Sequence, residues 1–239
     1  MIRVILNGAC GRMGRCFATL CENTEDIFIV AGVDENTKTA HHCFPVYDDI
    51  GKIRVPADVI VDFSAPASLN RVLRFAIDNN LKLLVATTGH SPSQLNDLRR
   101  ASEKIAVFKA ANLSVGIWVL SKLAAICAST LSDFDVAITE THHKNKLDAP
   151  SGTALMLKNS ITSSGPAPRT VGINSIRGGT VTGKHEVVFL GNYETITITH
   201  EATCKDVYAS GAIRAIRFLS SETTGFYTPD DLFMTKPEN

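Results

Sequence analysis

Ile2-Arg-Val-Ile-Leu-Asn-Gly-Ala-Cys-Gly-Arg-Met-Gly14 stands at the start of the chain, and its reading decides the fold. The first five residues form an apolar, β-branched run that predicts a strand over Ile2–Leu6. Glycines follow at positions 8, 11 and 14, and Arg12–Glu22 suits a helix. Small residues between a strand and a helix let the backbone pass close to a pyrophosphate, and the helix start offers free N–H groups and a positive dipole end. Alone, such glycines serve a plain turn equally well. The context supplies the rest: a second strand, Phe28–Val33, runs into Asp34, 20 residues beyond Gly14. That is the distance at which a ribose-binding carboxylate is expected. A carboxylate there repels a 2′-phosphate, so NADH is favoured over NADPH, with Lys38 and Arg12 the nearest cations to soften the repulsion.

Beyond the opening, strand patterns at Val59–Phe63, Lys82–Ala86 and Ile105–Phe108 alternate with helical stretches at Ser68–Asp78 and Ser91–Glu103. This alternation implies parallel βαβ units. Asp62-Phe63-Ser64 and Ala86-Thr87-Thr88-Gly89 fall at strand carboxyl ends, where open α/β sheets bind ligands. From about residue 112 the pattern changes. A long apolar helix (Val115–Thr130), a strand (Asp135–Thr141) and a helix (Gly152–Ser163) precede two strands, His185–Leu190 and Glu194–His200. Glu-Thr-Ile-Thr-Ile-Thr-His alternates with period two, which predicts a hairpin with one buried face. Gly165–Pro168 and Arg177–Gly183 read as loops, and Tyr208–Leu219 as a helix.

Composition narrows the function. The 239 residues are 44% apolar and carry 24 basic against 24 acidic side chains, so no basic excess points to nucleic acid. No apolar run approaches the roughly 18 residues of a membrane span. Met1 leads directly into a strand pattern without a cleavage site, so a cytoplasmic protein is expected. Six cysteines without a CxxC pair read as reduced thiols, not as a disulfide frame or a zinc site.

The densest chemistry is Glu140-Thr-His-His-Lys-Asn-Lys-Leu-Asp-Ala-Pro-Ser-Gly-Thr-Ala154. Ser151 can cap the following helix, leaving the N–H groups of Gly152 and Thr153 to favour an anion, with Lys146 adding a full positive charge. A carboxylated small molecule fits such a pocket. His142 and Lys146 can both exchange protons near neutral pH once burial or neighbouring cations adjust them. A solvated basic turn is the plain alternative. No metal is expected, because adjacent histidines diverge along a strand and no second ligand pair has suitable spacing.

Gly8–Gly14, Ala86–Gly89, Ala110-Ala-Asn-Leu-Ser-Val-Gly116 and His142-His-x-x-Lys-x-Asp-Ala-Pro-Ser-Gly-Thr-Ala154, in this order, closely resemble the dihydrodipicolinate reductase family. Arg177-Gly-Gly and Gly225-Phe-Tyr227 extend the resemblance over almost the whole chain. The resemblance implies an α/β chain. A Rossmann-type parallel-sheet dinucleotide domain over residues 1–111, rejoined by 220–239, accompanies a smaller α+β substrate and oligomerisation domain over 112–219 with a mixed open sheet. It implies a homotetramer and reduction, by NADH or NADPH, of an unsaturated cyclic imine to tetrahydrodipicolinate on the diaminopimelate route to lysine. By position it makes His142 the acid/base group and Lys146 the proton donor. His143, Gly152 and Thr153 then hold the substrate's carboxylates. Gly8, Ala9, Cys10, Gly11, Arg12, Met13, Asp34, Ala86, Thr87, Thr88, Ala110, Ala111, Asn112 and Leu113 contact the cofactor. Ala86 stands where the family commonly has glycine. A different nicotinamide enzyme on this scaffold, such as an amino-acid dehydrogenase, and a sensor without chemistry are the competing readings.

Overall fold

The computed structural model describes residues 1–37, 42–164 and 171–234; Lys38 and the stretch Gly165–Pro168, expected as a loop, lie outside them. The first 113 residues carry β1 (Ile2–Asn7), α1 (Arg12–Cys21), β2 (Ile27–Val33), β3 (Val46–Tyr47), β4 (Val59–Asp62), α2 (Leu69–Asp78), β5 (Lys82–Val85), α3 (Pro92–Ser102) and β6 (Ala106–Lys109). Then come α4 (Val115–Thr130), β7 (Asp135–His142), α5 (Gly152–Thr162), β8 (Val171–Arg177), β9 (Gly183–Leu190) and β10 (Thr195–Ala202). The chain ends with α6 (Asp206–Ser221), β11 (Gly225–Tyr227) and α7 (Pro229–Phe233). These elements form two units, Met1–Leu113 with Tyr208–Asn239, and Ser114–Val207.

In the first unit, seven strands pair in the order β11-β6-β5-β4-β1-β2-β3, all parallel. A parallel sheet needs cover on both faces, and the period-two alternation of its strands supplies two apolar faces. Val4, Leu6, Val59, Val61, Leu84 and Phe108 point to one core, shared with α1 and α6. Ile5, Ile60, Leu83, Val85 and Val107 point to the other, under α2 and α3. Gly14, Phe17, Ala18 and Cys21 form the buried stripe of α1 at helical spacing. Ser91 and Gln94 close a capping box at the start of α3.

The domain boundary differs from expectation at its second crossing. Residues 208–219, expected in the second domain, lie in the first unit as the body of α6. Its Ala209, Ala212, Ala215, Ile216 and Leu219 complete the first core. The small residues bring it close: a Cβ on Gly211 would stand 1.9 Å from the Leu113 carbonyl oxygen. Strand order along the sequence carries no such address, because a helix shows its apolar stripe but not its partner.

The second unit has a mixed four-stranded sheet, β10-β9-β7-β8. β7 and β8 run parallel with α5 as the crossover, and β9 is antiparallel to β7 and β10. Val136, Ile138, Val187 and Phe189 pack beneath α4 and α5. The hairpin predicted around Gly191 is present, closed by the Gly191 N–H donating to the Glu194 carbonyl oxygen at 3.0 Å. Ile196 and Ile198 are half-buried and the intervening threonines exposed, which is the one-faced strand the alternation called for. The strand Val171–Arg177 was not expected; its polar Asn174 and Ser175 suit a sheet edge and weaken its pattern. Among the described residues no helix is long and apolar enough to cross a membrane, and the six cysteines are free thiols.

Candidate active site

The first unit presents a crevice of about 320 Å³ lined by Gly8, Gly11, Asp34, Phe63, Ser64 and Arg71, among others. It lies at the carboxyl ends of β1, β2 and β4, where the strand order reverses, the usual ligand position of such sheets. Gly8 needs its glycine: φ is +82°, and a Cβ there would stand 2.6 Å from the Phe63 carbonyl oxygen. A Cβ on Gly14 would stand 2.1 Å from the Gly8 carbonyl oxygen. The loop is stitched to the end of β2. Gly8 and Ala9 N–H groups donate to the Val33 carbonyl at 2.8 and 3.1 Å, and the Cys10 N–H donates to Asp34 Oδ2 at 2.9 Å. Asp34 Oδ1 accepts from Asn36 N–H. A carboxylate has about four lone-pair directions, so acceptor capacity remains for a ribose diol.

No side chain caps α1 at Gly11. An uncapped helix start beside a glycine turn is what a pyrophosphate requires, so the residues present fit a dinucleotide. Arg12 and Met13 sit in that first helical turn, Arg12 exposed. Ala9, Ala110 and Leu113 are buried in the core, so only their backbone is available to a ligand. Ala86, Thr87 and Thr88 follow β5, and Ala110, Ala111, Asn112 and Leu113 follow β6, at neighbouring strand ends of the same sheet.

In the second unit, β7 carries Glu140 and His142 on its buried face. The Nδ1–H of His142 donates to Glu140 Oε2 at 2.5 Å. Glu140 also accepts two bonds from the Arg177 guanidinium, at 2.6 and 2.9 Å, and one from the Ser151 N–H at 3.1 Å. Burial would raise the Glu140 carboxyl. The bonds from Arg177, Ser175, His142 and Ser151 outweigh it and hold the pKa down at about 2. An ionised Glu140 keeps the proton of His142 on Nδ1 and leaves Nε2 as the free ring nitrogen. Burial, more than the opposing pull of Glu140, keeps the His142 pKa below its ordinary value, with Lys146 and Arg177 pushing the same way as burial. His142 is therefore neutral at pH 7. Behind it His185 packs edge-on, ring centroids 5.2 Å apart. Burial, then the charge of His142, lowers the His185 pKa to about 4.

Lys146 lies in the turn after β7, its N–H bonded to the His143 carbonyl at 3.0 Å. Its ammonium donates to Asp148 Oδ1 at 2.8 Å. Burial would raise the Asp148 carboxyl, but Lys146 and the Gly152 N–H lower it. These donors thus close on a carboxylate that belongs to the chain itself. Gly152 and Thr153 begin α5, capped by Ser151, whose hydroxyl accepts from the Ala154 N–H at 3.2 Å. Gly152 is exposed, with nothing within 4 Å of where a Cβ would stand. His143 is half-buried at the end of the strand. His142, His143, Lys146, Gly152 and Thr153 thus gather around the end of β7 and the start of α5, within this one unit. The sequence motifs give no role to Glu140, Ser151 beyond its cap, Arg177 or His185. The Glu-x-His spacing was a usable signal, since residues two apart share a strand face. Arg177 and His185 reach the site only through strand register, His142 opposite Arg177 and Glu140 opposite His185. No cluster of three or more metal-ligating side chains occurs among the described residues.

Residues 2–113 match the family described as dihydrodipicolinate reductase, N-terminus, and residues 116–233 match dihydrodipicolinate reductase, C-terminus. A 4-hydroxy-tetrahydrodipicolinate reductase of Caldanaerobacter subterraneus is 39% identical, covering 97% of this chain and 98% of its own. One from Staphylococcus aureus is 41% identical, covering 97% and 100%. Among solved structures, a dipicolinate-bound dihydrodipicolinate reductase from Paenisporosarcina superposes with a TM-score of 0.82 at 24% identity, over 98% of this chain and all of that one.

Proposed function

Since the chain belongs to the dihydrodipicolinate reductase family, we propose that it reduces 4-hydroxy-tetrahydrodipicolinate to tetrahydrodipicolinate, with loss of water, on the diaminopimelate route to lysine. It is an oxidoreductase of the nicotinamide-dependent class. When bound, the reduced nicotinamide supplies a hydride to C4 of the cyclic imine formed as the substrate dehydrates.

The chain's own residues supply grip and protons. Lys146 and the helix-start N–H groups of Gly152 and Thr153 hold the dicarboxylate, with His143 beside them. Electron density arriving in the conjugated imine calls for a proton, and Lys146 donates it from Nζ, worth about 10²–10⁴-fold in rate. His142, neutral and held by Glu140, presents Nε2 as the acid/base nitrogen. The observation that carries this reading is Asp148: its carboxylate already accepts from Lys146 Nζ at 2.8 Å, with the Gly152 N–H helping to hold its pKa down. A substrate carboxylate would take its place. Competition between pyridine-2,6-dicarboxylate and substrate tests this, and Lys146→Ala should abolish the competition.

In the crevice, Gly8 to Met13 receive the pyrophosphate and Asp34 the adenine ribose. Four carboxylates, Asp34, Glu35, Asp48 and Asp49, line it, and Arg71 is its one cation among the described lining residues, 3.8 Å from Glu35. That negative balance supports NADH over the more highly charged NADPH. The open face of the four-stranded sheet, with Val188 half-buried and Ile176 exposed, is the surface on which further copies would assemble into a tetramer. Light scattering in solution tests the tetramer. We place the enzyme in the cytoplasm.

A further inference from the structure

Ile105-Ala-Val-Phe-Lys109 ends an apolar strand on a lysine. Burial pulls its pKa down to about 8 in spite of the opposing charge of Asp62. A half-buried ammonium costs stability that a methionine of similar length would not, so its presence asks for a task. Its bonds suggest one. Lys109 Nζ donates to the Thr87 carbonyl at 2.9 Å and to the Ala110 carbonyl at 3.4 Å. These carbonyls belong to the two turns that follow β5 and β6. Thr87 is held from its other side as well: its N–H and hydroxyl donate to the Asp62 carbonyl at 3.1 and 3.3 Å.

Asp62 is fully buried. Its Oδ1 accepts from Asn7 Nδ2, the Ser64 N–H and the Ser64 hydroxyl. Its Oδ2 is buried with no hydrogen-bond partner, as are both ring nitrogens of His90. Burial, then the charge of Lys109, lowers the His90 pKa, so the imidazole adds no cation near neutrality. The charged groups acting on Lys109 are thus Asp62 from the end of β4 and, once protonated, His90 from the turn after β5. A polar chain runs from Asn7 beside the glycine loop, through Asp62 and Thr87, to Lys109 and Ala110. It spans the carboxyl ends of β1, β4, β5 and β6.

We propose that Lys109 is a positioning residue for the cofactor: its ammonium ties the Thr87 turn to the Ala110 turn, holding as one surface the two segments that receive the nicotinamide end. The inference rests on the reading of this unit as a dinucleotide site. Charge matters as well as hydrogen bonding. Deprotonation leaves two N–H donors on Lys109 but strips the buried Asp62 carboxylate of its compensating cation.

Direct binding of NADH to the full chain, followed by nucleotide fluorescence, tests the clamp in the wild type, Lys109→Met and Lys109→Arg from below neutrality to about pH 9.5. At neutral pH, Lys109→Met raises Kd for NADH by about tenfold, the loss of a charge-assisted bond, while Lys109→Arg retains most of the affinity. The wild-type Kd rises as pH passes about 8, and neither variant shows that rise. A Kd for Lys109→Met within about twofold of wild type overturns the clamp. So does a flat wild-type profile, or one shared by all three proteins. Should Lys109→Met fail to fold, the wild-type and Lys109→Arg profiles decide between them. NADH binding that ignores Lys109 sinks the clamp alone, whereas a wild type that binds no NADH at any pH sinks the dinucleotide reading and the clamp with it.

Discussion

At the scale of single residues, the chemistry turns on Glu140, a carboxylate with no exposed surface that fixes which nitrogen of His142 is free. Glu140→Gln removes the charge but keeps the shape. We expect kcat to fall by about 10²-fold, because the tautomer and orientation of His142 are no longer enforced. The acid limb of the pH profile gives the sign. His142 works in its neutral form, so the rate falls as pH drops through its pKa, which burial holds below 6.5. Glu140 raises that pKa, so its neutralisation moves the limb to lower pH still. An unshifted limb in steady-state profiles would detach Glu140 from His142. Asp34→Ala should weaken NADH by about tenfold or more and NADPH much less, since only the former loses the diol acceptor without relief of charge repulsion; equal losses in titrations with both would take Asp34 out of ribose recognition. Asp34, His142 and Lys146 were legible in the sequence because each belongs to a short motif with a mechanism attached. Arg177 and His185 were not, because they face Glu140 and His142 by long-range strand pairing, which leaves no local trace.

At the scale of elements, the glycine turn and α1 act as one piece. Gly14→Ala would drive a methyl into the carbonyl oxygens of Gly8 and Ala9, 2.1 and 2.7 Å away. Displacing the first turn of α1 should cost about 1–3 kcal/mol, a fall of several degrees in Tm, and at least about tenfold in NADH affinity. Thermal melting and nucleotide titration of the same variant check both, and undiminished affinity would show that the turn does not cradle the ligand. Legibility varied by element for physical reasons. α4 was readable at both ends, Val115 and Thr130, since Ser114 caps its start. β8 escaped because an edge strand with Gly172, Asn174 and Ser175 has little β propensity. The helix of α6 is legible but its unit is not, because amphipathicity reports that a face is buried and not what buries it.

At the scale of the whole molecule, acid stability should follow the buried histidine. The His185 pKa is lowered from 6.5 to about 4. The unfolded chain binds its proton first, so the stabilisation is complete above pH 6.5 and is lost as pH falls towards 4. Up to about 3 kcal/mol is at stake over that window. The pair formed by Glu140 with Arg177 is lost lower, between pH 4.5 and about 2. Denaturant titrations should show the wild type losing stability from pH 6.5 to 4 and His185→Phe losing less; parallel curves would remove His185 from the balance. The central claim, that one unit seats a nicotinamide hydride donor and the other delivers a proton to a gripped dicarboxylate from Lys146, meets its most direct test in one rate measurement. NADH and NADPH oxidation are followed in parallel with freshly generated 4-hydroxy-tetrahydrodipicolinate, for the wild type and Lys146→Ala. We expect turnover by the wild type, faster with NADH, and a kcat at least about 10²-fold lower in the variant. A wild type that oxidises neither nucleotide, or a variant within about fivefold of it, contradicts the account.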